Sequence, residues 1–133
     1  MMQQRSGTII NIASIAGFSG GMTLSPPYAA SKAAVINLTK VAASKLAEFG
    51  VTVNAVAPGI VDTAFNWELD EQIGVGEMGL KPGEFLKDRS AGIPLGRISI
   101  PTDVSNVVAF LSGPDASYIT GETLVVSGGL VMR

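Results

Sequence analysis

The chain has 133 residues, of which 47% are hydrophobic and 15% charged, and its net charge is -2; that suits one globular domain with a sizeable core and removes disordered and fibrous classes. Its nine basic residues are scattered rather than clustered, so there is no electrostatic footprint for nucleic acid or an anionic membrane. With no cysteine and no histidine, a disulfide framework, a thiol nucleophile, an imidazole base and the commonest metal ligand are all missing, and any chemistry falls to Ser, Thr, Tyr, Lys, Asp or Glu.

The opening MMQQRSG is polar rather than basic and then apolar, and no window approaches the ~20 apolar residues of a spanning helix. A cytoplasmic location is the expectation. TIINIA, residues 8–13, reads as a buried strand that runs into the small-residue loop SIAGFSGG. Pro26 and Pro27 precede a helix expected over 27–49, where Ala30, Ala33, Ala34, Leu38, Val41, Ala42 and Leu46 can share a broad face before Gly50 stops it. VTVNAVA, residues 51–57, is a second buried strand, punctuated by Pro58-Gly59.

Residues 60 to about 98 differ in kind. They hold most of the acidic residues, the only tryptophan and several glycines, and an excursion of this length, with short helices, suits a lid or binding loop. Pro101 then opens a helix closed by Gly113, and TLVVS forms a third strand before Gly128-Gly129.

Strands joined through helices imply an α/β fold with a parallel sheet covered on both faces. Ligands of such sheets bind beyond the carboxyl ends of the strands, here Ser14, Pro58-Gly59 and Gly128-Gly129. Three strands make a thin sheet, and the first has no visible partner on its other side. The chain is therefore expected to be part of a larger unit.

Tyr28 and Lys32 stand four apart at the start of the long helix, on one face. Alone the pair is weak evidence: with two tyrosines and five lysines, such a match arises by chance roughly 8% of the time. A surface tyrosine beside a snorkelling lysine accounts for an isolated match. Physically, however, an ammonium 4–5 Å from a phenol favours the phenolate by roughly 3–4 kcal/mol at an effective dielectric of ~20, most of the ~4 kcal/mol that a general acid or base near neutral pH needs, and a cationic nicotinamide ring could supply the remainder. Ser14 is a candidate to hydrogen-bond a substrate oxygen, against the plainer role of satisfying the strand-to-loop backbone. The segment Pro58 to Thr63 is either a simple turn or a set of backbone groups and a hydroxyl offered to a ligand.

In order and spacing, GTIINIASIAG, YAASK, VTVNAVAPGIVDT, GRISIPTDV and YITGETLVVSGG resemble the second half of the short-chain dehydrogenase/reductase family. The resemblance covers essentially the whole chain. It implies the C-terminal half of a Rossmann-type, doubly wound parallel sheet, with residues 1–133 forming the catalytic part of one domain and about 62–98 its substrate-covering loop. It implies NAD or NADP as cofactor and a small-molecule alcohol or ketone as substrate. Tyr28 then resembles the acid/base, Lys32 the residue that favours its ionisation and bonds the nicotinamide ribose, and Ser14 the residue that polarises the reacting oxygen. Pro58, Gly59, Val61 and Thr63 resemble the segment holding the nicotinamide carboxamide.

The excursion looks most like the branch acting on small diols, acetoin or sugar alcohols, with reductases of carrier-bound oxoacyl chains as competitors. Three departures stand out. Ser14 to Tyr28 is one residue longer than the commonest spacing, Ser127 replaces a frequent aspartate, and the glycine-rich phosphate loop of the family's first half is missing. The expectation is an incomplete enzyme whose isolated chain is inactive, and a homo-oligomer, dimer or tetramer, at full length. The alternative is a non-catalytic fragment that only self-associates, through its open strand edge and its alanine-rich helix.

Overall fold

The computed structural model describes residues 1–18 and 25–133. Strands β1 (Gly7–Ile12), β2 (Val51–Pro58) and β3 (Thr123–Val126) form a parallel sheet in the order β1-β2-β3. Gly7 pairs with Val51 and Ile12 with Val56; Ala55 pairs with Thr123 and Pro58 with Val126. The long helix α1 (Pro26–Leu46) links the first two strands. Two short helices, α2 (Ala64–Leu69) and α3 (Glu84–Ser90), followed by α4 (Pro101–Ser112), link the last two. This is the α/β arrangement that the strand and helix spacing implies.

The layering follows from the two-residue period of β2. Val51, Val53, Ala55 and Ala57 face α1, where they meet Ile36 and Ala43, whereas Val56 faces α4 and packs with Leu111 and Ala116. Small residues at 55 and 57 let α1 lie close where the sheet ends. Two polar side chains in these layers are fully buried, and both are satisfied. Thr39 accepts from Asn11 Nδ2 at 2.9 Å and donates to the Val35 carbonyl at 2.8 Å. Asn54 donates to the Ile119 carbonyl at 2.8 Å and accepts from the Glu122 N–H at 3.1 Å, which fixes the entry into β3.

On α1 the expected face is corrected. Val35, Ile36, Thr39, Ala42, Ala43 and Leu46 turn toward the sheet, whereas Ala30, Ala33 and Ala34 are exposed, as are Leu38 at 60% and Val41 at 51%. The helix is apolar on two stripes, and spacing alone does not choose between them; the bulkier Val35-Ile36 stripe fills the space above β2. The other stripe is left without a partner among the described residues. β1, likewise, pairs only with β2 and forms an open edge among the described residues, with Ile12 49% exposed.

The excursion is a small structure with its own core. Ile60, Leu86 and Ile93 are buried together, with Ile98 and Leu130 packed on them. A π-helical stretch, Asp70–Glu77, continues α2. From it the buried Asp70 carboxylate accepts the N–H groups of Gly83 and Leu86, capping the start of α3. The excursion returns to its own root through the backbone bonds Asp62 N to Ser99 O, 2.8 Å, and Ser99 N to Ile60 O, 3.0 Å. Residues 19–21 of the expected loop after β1 lie outside the described residues. β3 ends at Val126 rather than Ser127, and the Ser127 Oγ bridges the N–H and C=O of Val131, each at 3.1 Å. No helix among the described residues is long and apolar enough to cross a membrane.

Candidate active site

Ser14 leaves β1 in extended conformation, and its Oγ accepts the Ala16 N–H at 3.2 Å to start a single 3-10 turn, Ile15–Gly17. The plainer backbone role is thus realised on one lone pair, while the hydroxyl proton has no acceptor among the described residues. Gly17 brings this turn against α1: a Cβ there would lie 2.8 Å from the Lys32 carbonyl carbon, so only glycine permits the approach.

Tyr28 occupies the first turn of α1, after the two prolines at its N-terminus. Its ring stacks on Phe65 of α2, centroids 6.2 Å apart and planes at 29°. Lys32 Nζ lies 5.6 Å from the Tyr28 ring centroid and donates to the Ile12 carbonyl at 3.0 Å. The lysine is therefore fastened to the strand end that also carries Ser14. A solvated lysine would have no such anchor.

Pro58 closes β2, and the Gly59 N–H continues the ladder to the Val126 carbonyl at 2.9 Å. A Cβ on Gly59 would sit 2.9 Å from Ser127 Cα, so glycine is what lets this turn press against the end of β3. Beyond it, the Val61 carbonyl accepts Asn66 Nδ2 at 2.8 Å and, more weakly, the Thr63 hydroxyl at 3.4 Å.

All seven residues singled out in the sequence, Ser14, Tyr28, Lys32, Pro58, Gly59, Val61 and Thr63, line one cavity of about 750 Å³, a size ordinary for a ligand site. The third expected contributor to the rim does not reach it: Gly128 and Gly129 pack against Ile93 and Pro94 of the excursion, and Leu130 lines the cavity in their place. The sequence reading also missed Phe65, Asn66, Leu69 and Arg89, which come from the excursion. Only Asn66 carried a signal, as a polar residue one helical turn from Thr63 between two aromatics.

The wall carries two cations, Lys32 and Arg89, and no carboxylate among the described residues. Arg89 donates to Asn66 Oδ1 at 3.2 Å and stands 5.5 Å above the Phe85 ring. Burial pushes its pKa below the ordinary guanidinium value. The arrangement offers a phenol beside an ammonium, a free hydroxyl proton, and backbone groups on a rigid turn, all facing one apolar chamber. Such a set can move a proton to or from an oxygen held in the chamber.

Comparison with known proteins gives this chamber a context. A family model described as enoyl-(acyl carrier protein) reductase matches residues 1–131. A 3-oxoacyl-(acyl-carrier-protein) reductase FabG of Rickettsia felis is 45% identical over 132 residues, 99% of this chain and 49% of that protein. A diacetyl reductase, (S)-acetoin forming, of Staphylococcus aureus is 47% identical over 128 residues, 96% of this chain and 48% of that protein. Among solved structures, a Beutenbergia cavernae protein assigned as an NAD(P)-dependent gluconate 5-dehydrogenase, with NADP bound at low occupancy, superposes with a TM-score of 0.85 at 40% identity, covering 98% of this chain and 48% of that one. The chain spans about half the length of the curated relatives it matches.

Proposed function

The chain belongs to the short-chain dehydrogenase/reductase family, and from that premise we propose that it carries the proton-transfer half of an NAD(P)-dependent oxidoreductase that interconverts a secondary alcohol and its ketone. The observation that carries the reading is the convergence of Ser14, Tyr28 and Lys32 with the Pro58 to Thr63 turn on one cavity. In the oxidation direction Tyr28 takes the proton of the substrate hydroxyl as the C–O bond becomes a carbonyl, and Ser14 holds that oxygen by its free proton. Lys32, fixed to the Ile12 carbonyl, keeps a positive charge beside the phenol throughout. In the reduction direction Tyr28 returns the proton.

The residues present fit a nicotinamide in kind. The floor of the chamber is apolar, Val61 and Thr63 bring backbone groups and a hydroxyl for a carboxamide, and Lys32 supplies a cation for a ribose. When bound, the nicotinamide accepts or supplies the hydride at C4, which is the cofactor's own chemistry. The resemblance implies that the remaining cofactor contacts belong to the first half of the family's domain, so the 133-residue chain by itself is expected to be inactive. Its expected substrates are a small diol, acetoin or a sugar alcohol. A carrier-bound 3-oxoacyl chain is the second reading, favoured by the FabG relatives.

The test joins the chain in frame behind the N-terminal half of the Beutenbergia cavernae relative and follows nicotinamide absorbance with acetoin, diols, sugar alcohols and an oxoacyl thioester. Tyr28→Phe should cost roughly 100-fold or more in turnover with circular dichroism unchanged. Turnover insensitive to that change would refute the assignment. A second reading for the chain alone, self-association without catalysis, rests on the exposed stripe of Leu38 and Val41 and the open β1 edge. An oligomer that binds no cofactor would favour it.

A further inference from the structure

Most charged side chains of the protein are solvated or, like the Arg97–Asp103 pair, matched. Arg89 is neither. It is half-buried on α3, it lines the cavity, and none of the described carboxylates lies within salt-bridge distance of it. Its place is built: Asn66, itself buried, is held by the Val61 carbonyl and turns its Oδ1 to the guanidinium, and Phe85 underlies the planar group. Those contacts fix the orientation of the fork yet engage only one of its five N–H donors.

Holding a half-buried cation without a counter-ion carries a cost, and burial lowers its pKa. An oxyanion entering the chamber would relieve that cost and complete the fork bidentately. Ser14 follows the end of β1 and Tyr28 and Lys32 stand on the first turns of α1, whereas Arg89 comes from the excursion. A ligand filling a cavity of about 750 Å³ can therefore meet the proton-transfer group and the cation with different parts of itself.

We propose that Arg89 is a specificity-determining residue that binds a carboxylate of the substrate, which narrows the secondary alcohol of the proposed function to a hydroxy acid, or its oxo acid, in place of the neutral diol, acetoin or sugar alcohol that the resemblance suggests. The proposal rests on the reading of Tyr28 as the acid/base only for where the reacting carbon lies; the binding of the carboxylate is independent of it. The gluconate 5-dehydrogenase relative is named for a substrate of this class, so gluconate, and glucitol as its uncharged counterpart, are suitable probes.

The experiment is calorimetric titration of gluconate, glucitol and inorganic pyrophosphate into the 133-residue chain. Gluconate should bind roughly tenfold or more tightly than glucitol. Arg89→Gln should abolish that preference with circular dichroism unchanged, and Arg89→Lys should retain part of it. Equal binding of the two polyols, failure of gluconate to bind, or a preference that survives Arg89→Gln would overturn the proposal. So would a preference for pyrophosphate over gluconate that Arg89→Gln removes, since that would move Arg89 to the cofactor side. Tyr28→Phe separates this proposal from the reading it extends: the gluconate-to-glucitol ratio should stay unchanged while turnover in the joined enzyme falls. If the ratio holds but turnover does not fall, the acid/base assignment fails and the carboxylate site stands.

Discussion

The strand rim and the excursion meet at one cavity but are held in place in different ways. The rim is an extension of the sheet: Lys32 and Gly59 are tied to strand backbone, at the Ile12 and Val126 carbonyls, and Ser14 is tied through the Ala16 N–H to the short turn that follows β1. The excursion stands on a separate small core of Ile60, Leu86 and Ile93, with one buried carboxylate, Asp70, capping α3. Groups that transfer a proton need sub-ångström placement, and rigid elements provide it. Groups that choose a substrate can sit on a unit that repacks without disturbing the sheet.

Gly59→Ala tests the rigid side most severely. Its Cβ would press on the Ser127 backbone at 2.9 Å, a contact no flexible side chain can relieve, so a loss of about 2–3 kcal/mol is expected in chemical denaturation. If stability is unchanged, the turn is not locked to β3 as described. Asp70→Asn should be milder and local. It sets an amide N–H against a backbone N–H of α3, at a cost of about 1–2 kcal/mol, and hydrogen exchange should quicken at 83–90 while β2 amides keep their protection. Equal loosening of β2 would erase the distinction between the two regions.

The smallest effect belongs to the clasp between the excursion and α4, the helix packed on the other face of the sheet. Arg97, at the end of the excursion, holds Asp103 on α4 through two bonds of 2.7 and 3.0 Å, and the Ile100 N–H adds a third at 2.8 Å. The guanidinium bonds first, then the backbone N–H, lower the Asp103 pKa to about 2. A carboxylate with a depressed folded pKa stabilises the fold above its unfolded value of about 3.9, and that contribution is lost as pH falls through about 2. The stability difference between the native chain and Asp103→Asn should therefore be constant above about pH 5 and shrink as pH falls toward 2. A difference that does not change across that window would mean the clasp is unformed in solution.

Much of the fold was legible in the residues. Isoleucine- and valine-rich runs ending in small residues mark strands, prolines and glycines bracket helices, and the order of these elements requires a parallel sheet whose carboxyl ends converge. That convergence brought Ser14, Tyr28, Lys32 and the Pro58 to Thr63 turn to one cavity wall. Two things were not legible. Spacing could not say which apolar stripe of α1 meets the sheet, because both stripes have the right period and only the volume above Ala55 and Ala57 selects one. Nor could it show that Phe65 stacks on Tyr28 or that Arg89 enters the chamber.

By itself the sequence determined what repeats with a local period or is forced by a residue's own geometry: the elements, their order and the pairing of Tyr28 with Lys32 on one helix face. Only the tertiary structure decided which side chains an excursion of nearly forty residues delivers to the site. Those contacts join residues far apart in the chain, and they depend on how the Ile60 core and the Asp70 cap fold the excursion back over the sheet.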